Sequence, residues 1–216
     1  LRNKVDTMIR LHHLNQSRSL RTLWLLEELG VPYEVVSHQR DAKTHLAPDS
    51  LKAVHPLGKS PVIEMDGQIY AESGAITELL IERFAPERLR PATGSSDYGY
   101  YLQWIDFAES SLMLPLMLEL FTNKAGINDN EFLNGYIETE KTRLFKYLDT
   151  SVEGKSFIVG DKLSGADFML SFDLIILAKR QKLDAYPHIK QYAEKLASLD
   201  SYQCAMQLEA KYDESI

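Results

Sequence analysis

Apolar and polar residues alternate over Met8–Leu14, where Ile9 and Leu11 interleave with Arg10 and His12, and this period of two predicts a strand. Leu20, Leu23, Trp24 and Leu26 then recur at helical spacing as far as Leu29, with Gly30 as the C-terminal cap and Pro32 beyond it. Tyr33–Ser37 predicts a second strand. Residues 38–57 are polar, interrupted by Pro48 and Pro56, and read as a loop with at most a short helix. Pro61–Met65 and Gln68–Ala71 are two more strands, joined by Asp66-Gly67, a strong two-residue hairpin signal. Ile76, Leu79, Leu80 and Phe84 share one face of a helix that opens at Ser73. The order is β-α-β-loop-β-β-α.

The pattern then changes. Residues 86–96 contain Pro86, Pro91, Gly94 and two serines and read as a linker between a first domain at 8–85 and a second at 97–216. The second domain shows only helical periodicity. Tyr98–Leu120 predicts one helix, kinked by Pro115. Asn130–Thr150 predicts another, with Phe132, Tyr136, Leu144 and Leu148 on its apolar face. Ser164–Lys179 is apolar nearly all round, as a helix buried on most sides would be. Pro187–Leu199 is amphipathic, with Pro187 suited to the first helical position.

Composition narrows the function. With 44% hydrophobic and 25% charged residues, the chain is that of an ordinary folded protein. A net charge of −7 argues against nucleic acid and against anionic membrane surfaces as partners. No apolar run approaches the roughly 18–20 residues of a membrane span. The single cysteine, Cys204, excludes an intrachain disulfide and a CxxC motif, and suits a reducing, cytoplasmic setting. No metal-ligand spacing appears, so no metal is expected. Residues 1–7, ahead of Met8, read as a non-native extension.

Four motifs bear on chemistry. In Gly58-Lys59-Ser60-Pro61-Val62 a proline opens a strand. It is either an ordinary edge proline or the second residue of a cis bond that leaves the Ser60 N–H and C=O free to pair with a peptide backbone. Glu72-Ser73 stands where a strand meets a helix. Ser73 is a good N-cap, the helix terminus attracts a carboxylate and Glu72 an ammonium; simple capping beside a surface acid fits equally. Asn15-Gln16-Ser17-Arg18 lies where the first strand meets the first helix. A hydroxyl there would lower a thiol pKa from its free value of roughly 8.5, or merely cap the helix through Ser17 or Ser19. Ser164-Gly165-Ala166-Asp167 is a capping box with Asp at N3 and reads as structural.

Taken together, this order of elements, the Ser60-Pro61 and Glu72-Ser73 motifs, and the segment Gly160-Asp161-Lys162-Leu163-Ser164-Gly165-Ala166-Asp167 resemble the cytosolic glutathione transferases. The stretches Leu11–Ser19 and His55–Pro61 look most like a bacterial and fungal branch. The resemblance spans residues 8 to about 210. It implies a thioredoxin-like α/β N-terminal domain and an all-α C-terminal domain. It implies that Ser60, ahead of cis-Pro61, pairs with the cysteinyl backbone of glutathione. Glu72 and Ser73 would hold the γ-glutamyl group, and Lys59, with His45 as a weaker alternative, the glycyl carboxylate. The activating group would be Ser17, then Asn15, then His13. No cysteine lies near Arg18, so a serine-type site is implied and a mixed-disulfide mechanism is disfavoured.

The function implied is conjugation of the glutathione thiolate to a small hydrophobic electrophile, with peroxidase activity as a variant. The electrophile would sit between Leu14 and the helix carrying Tyr101, Trp104, Ile105, Ala108 and Leu112. The family also implies a homodimer. The rival from another class is a non-catalytic protein of the same fold that binds a protein partner.

Overall fold

The computed structural model describes residues 8–213; residues 1–7, read above as an extension, lie outside them. The elements are β1 (Ile9–Leu14), α1 (Ser19–Leu29), β2 (Tyr33–His38), α2 (Asp49–Val54), β3 (Val62–Met65), β4 (Gln68–Ala71), α3 (Ser73–Phe84), α4 (Ser96–Glu109), α5 (Met113–Ala125), α6 (Glu131–Val152), α7 (Gly165–Lys179), α8 (Pro187–Ser198) and α9 (Asp200–Tyr212). They form two compact units, one running to Pro86 and resuming at Ala197, the other Glu87–Leu196.

In the first unit four strands lie in the order β2-β1-β3-β4. β1 pairs parallel with β2, and β3 pairs antiparallel with both β1 and β4. Asp66 and Gly67 both adopt positive φ, 52° and 74°, which is the backbone a two-residue hairpin of this kind requires. Every residue of α1 from Ser19 to Leu26 is buried, because the helix packs on β1, α3 and α9. Its apolar side chains join Ile9, Leu11, Ile63, Ile76 and Leu80 in the core. Gly30 closes α1 at φ 64°, its N–H donating to the Leu26 and Glu27 carbonyls. The last helix, α9, belongs to this unit and not to the helical one. Trp24 of α1 stands edge-on to Tyr202 at 5.3 Å and donates to Ser201 Oγ at 2.9 Å. The linker reading at 86–96 is also modified, since Leu89 is buried and its carbonyl accepts from Gly165 N–H.

In the second unit the helix expected over Tyr98–Leu120 is two helices. The chain breaks at Ser110–Leu112, and Pro115 falls in the first turn of α5, where its missing N–H would have no intrahelical partner anyway. The buried face of α6 is Ile137, Phe145, Leu148 and Val152, whereas Phe132 is 83% exposed and Tyr136 39%, contrary to the sequence expectation. The capping box is present. Asp167, fully buried, accepts from Ser164 N–H and Ser164 Oγ through Oδ2, and from Ile158 N–H and the Tyr192 hydroxyl (2.6 Å) through Oδ1. One carboxylate thus ties the start of α7 to the 153–164 loop and to α8.

Removing it leaves four buried donors unpaired. Asp167→Ala is expected to cost about 3–5 kcal/mol in urea denaturation, and Asp167→Asn, which keeps an acceptor, clearly less.

Candidate active site

The strand register brings the three candidate motifs to one end of the sheet. β1 ends at Leu14, level with His38 at the end of β2. β3 runs the other way, so its start, at Val62, lies opposite His12, and β4 finishes with Ala71 opposite Val62. The β1–α1 turn, the approach to Pro61, the Glu72–Ser73 junction and the loop after β2 therefore share one edge of the first unit. The N-termini of α1 and α3 open at the same edge.

The Ser60–Pro61 bond is cis. The β1–β3 ladder ends at His12–Val62, so the main chain of Ser60 lies beyond it. The Ser60 hydroxyl donates to the His12 carbonyl at 3.0 Å and fixes the residue against β1. Gly58 adopts φ 58° in the turn before it, with its N–H bonded to the His55 carbonyl at 2.8 Å. Glu72 is exposed and holds φ 73°, ψ 120°, a conformation costing a non-glycine residue on the order of 1–3 kcal/mol and concentrated at functional sites. Ser73 is buried and is the first helical residue of α3. The cap position is Glu72, and its side chain makes no capping bond, so the N-cap role expected of Ser73 is not observed. Lys59 is exposed. His45 is exposed too, at φ 56°, and its carbonyl accepts from Arg40.

Ser17, Asn15 and His13 have distinct surroundings. Ser17 Oγ accepts from Ser19 N–H at 3.2 Å and lies 2.8 Å from Ser19 Oγ, so it satisfies the first helical N–H of α1, whose cap position is Arg18. Asn15 is buried with both ends of its amide engaged: Nδ2 donates to Asp213 Oδ1 at 2.8 Å and Oδ1 accepts from Arg40 N–H at 2.8 Å. That engagement argues against Asn15 as a donor to a thiolate. His13 is fully buried between Ser19 Oγ, 2.8 Å from Nδ1, and Glu209 Oε2, 2.7 Å from Nε2, and so does not meet a ligand directly.

Leu14, Tyr101, Trp104, Ile105, Ala108 and Leu112 are all buried. Within the helical unit Trp104 packs edge-on to Phe107 and stacks on Tyr147, at 5.0 and 5.3 Å. An open groove in that unit lies at the α4–α5 break instead, lined by Glu109, Ser110, Ser111, Met113, Leu114 and Met117.

Three residues that bond to the β1–α1 turn escaped the sequence reading. Arg40 bridges loops, donating to the carbonyls of Asn15, Gln16 and His45. Glu209 accepts Gln16 N–H at 2.8 Å, and Asp213 takes Asn15 and Gln16 side chains. No local pattern marks the last two, Glu209 lying on α9 and Asp213 at its C-cap.

On the opposite face of β1 from His13, His12 joins Glu64 (2.7 Å) to His38 (3.1 Å), and His38 joins Ser50 of α2 (2.9 Å). The hydrogen bond from His12, with Arg10 beside it, holds the Glu64 carboxyl below its ordinary range against the effect of burial. Burial, then the neighbouring His12 and His13, pushes the His38 imidazole below its ordinary range.

Residues 11–88 match the family model for the glutathione S-transferase N-terminal domain, and residues 113–202 that for the C-terminal domain. Glutathione S-transferase 1 of Saccharomyces cerevisiae is 31% identical over 90% of this chain and 92% of that protein. Glutathione S-transferase 3 of Schizosaccharomyces pombe is 34% identical over 84% and 78%. The crystal structure of a glutathione S-transferase from Actinobacillus pleuropneumoniae superposes with a TM-score of 0.85 at 36% identity, covering 94% of this chain and 93% of the other.

Because the folded His38 binds its proton less readily than the unfolded residue, its contribution to stability is complete above about pH 6.5 and is lost as pH falls through the lower folded value. Urea midpoints measured from about pH 7 to about pH 5 are expected to fall, with a shallower slope in His38→Asn.

Proposed function

The chain belongs to the glutathione S-transferase family, and from that premise we propose that it binds glutathione at the sheet edge just described and transfers its thiolate to small hydrophobic electrophiles. The observation that carries this is the convergence, within one unit, of the cis Ser60–Pro61 turn, the strained Glu72 with the N-terminus of α3, and the Ser17 turn. In this reading Ser60 pairs with the cysteinyl backbone through its own main chain. Glu72 answers the γ-glutamyl ammonium, and Ser73 with the first amides of α3 answers its carboxylate. Lys59 meets the glycyl carboxylate, with His45 on the neighbouring loop as its alternative. Ser17, at the N-terminus of α1, stabilises the thiolate.

The family supports a homodimer acting in the cytoplasm, with organic hydroperoxides as a second class of acceptor. An acceptor site on the helical unit, at Tyr101, Trp104, Ile105, Ala108 and Leu112, belongs to the same reading.

The full chain is expected to be retained on immobilised glutathione; failure to bind there overturns the proposal. By calorimetry Glu72→Ala should weaken glutathione binding about 10- to 100-fold, the loss of one charge-assisted contact. Ser17→Ala should leave the affinity close to native, raise the pKa of the bound thiol as read by thiolate absorbance, and lower kcat/KM about 100-fold. A protein that binds glutathione with its thiol pKa unshifted from the free value is the non-catalytic rival.

A further inference from the structure

Behind Ser17 lies a chain of buried polar groups that capping does not account for. Capping α1 needs a hydroxyl that takes the Ser19 N–H, which Ser17 supplies. It needs neither an imidazole nor a carboxylate. Yet Ser17 Oγ stands 2.8 Å from Ser19 Oγ, Ser19 Oγ 2.8 Å from His13 Nδ1, and His13 Nε2 2.7 Å from Glu209 Oε2. Ser19 and His13 are fully buried, and Glu209 is 7% exposed. The far end is pinned, because Glu209 Oε1 accepts Gln16 N–H at 2.8 Å. The hydroxyls and Nδ1 are joined by hydrogen bonds, and at the far end His13 Nε2 and Glu209 Oε2 have no partner except each other, facing one another at ion-pair distance.

Proton bookkeeping gives the chain a direction. A 2.7 Å approach of a carboxylate oxygen to His13 Nε2 is tolerated only with a hydrogen on that nitrogen, so Nε2 carries one and, in the neutral ring, Nδ1 must accept. Ser19 then donates to Nδ1 and in turn accepts from Leu14 N–H, 3.3 Å away, and from the Ser17 hydroxyl. In this state Ser17 points its hydrogen inward and offers a lone pair to a ligand. That arrangement accepts a thiol S–H but does not stabilise a thiolate. If His13 gains a proton at Nδ1, the directions reverse. Nδ1 donates to Ser19, Ser19 donates to the Leu14 carbonyl at 3.2 Å, and Ser17 is released to donate outward.

We propose that Ser19, His13 and Glu209 are positioning residues that take up the glutathione thiol proton through Ser17. The inference rests on the reading that Ser17 faces the thiol. The S–H bond breaks as a new O–H bond forms on Ser17. The original Ser17 hydrogen passes to Ser19, and the original Ser19 hydrogen to His13 Nδ1. Both hydroxyls end as they began. The net change is one proton moved from sulfur to imidazole, leaving a thiolate that accepts from Ser17 and an imidazolium paired with Glu209. After the product leaves, the proton returns to solvent by the same hydroxyls. Glu209 fixes the ring tautomer and stabilises the imidazolium without taking the proton itself. The titratable groups coupled electrostatically to this pair include His38 on β2, Arg40 after β2 and Tyr202 on α9.

The test is a pH titration of thiolate absorbance in the complex of the full chain with glutathione, without an electrophile, alongside calorimetric affinity. Glu209→Gln retains an acceptor for Gln16 N–H, and Ser19→Ala cuts the chain while leaving the charged pair in place. Each is expected to bind glutathione within about twofold of native and to raise the bound thiol pKa by about one unit, which is tenfold less thiolate on the acid side of the titration. His13→Gln should do the same, and adding His13→Gln to Glu209→Gln should raise it no further, as for members of one chain. If Glu209→Gln and Ser19→Ala both titrate as native while Ser17→Ala is shifted, the relay is overturned and Ser17 keeps its role. If Ser17→Ala also titrates as native, the Ser17 reading fails and the relay with it.

Discussion

The arrangement of the site depends on Asn15, whose side-chain amide and main chain are both committed to structure. Its Nδ2 holds Asp213 at the end of α9, its Oδ1 takes the Arg40 N–H, its own N–H reaches the His38 carbonyl and its carbonyl accepts from the Arg40 guanidinium. One buried residue thereby fixes the β1–α1 turn, the end of β2 and the last helix to one another. Ser17 lies two residues beyond it. Release of Asn15 would set free the turn that positions Ser17 and the helix that carries Glu209.

A second constraint is the contrast between the two faces of β1. Alternation sends His13 toward Ser19 and Glu209 and His12 toward Glu64 and His38. Both faces carry buried polar chains near the edge where an apolar core would have been simpler to build. The His12 chain also reaches the edge through its main chain, since its carbonyl receives the Ser60 hydroxyl. Glu72 adds a backbone conformation that an ordinary strand-to-helix junction avoids. Such departures from local preference gather at this edge, while the hairpin at Asp66-Gly67, the Gly30 cap and the Asp167 box follow local rules.

That contrast explains what the sequence disclosed. Strands, hairpin, α1, α3 and the capping box were legible because each is specified by neighbours within a few residues. The break between α4 and α5 was misplaced toward Pro115, because a proline in a helical pattern signals a disruption without saying that the chain restarts just before it. Phe132 and Tyr136 were counted among the apolar positions of α6, and their exposure shows that apolar character does not dictate burial. Ser60, Pro61, Glu72 and Ser73 were legible as motifs, although Ser73 proved to be the first helical residue and not the cap. Arg40, Glu209 and Asp213 were not legible, since their partners lie 24–25 and about 200 positions away and no local pattern marks them.

The return of α9 to the first unit has a consequence for how the protein is made. The ribosome releases the sheet, α1 and α3 first, and a contiguous N-terminal domain would fold as it emerged. Here the groups that anchor the Asn15 turn and the imidazole of His13 are encoded after the whole helical unit. Until residue 213 has been synthesised, the Asn15 amide nitrogen lacks Asp213, His13 lacks the Glu209 carboxylate and Trp24 awaits Tyr202. The edge that bears the candidate site therefore gains these partners only once translation has run through α9.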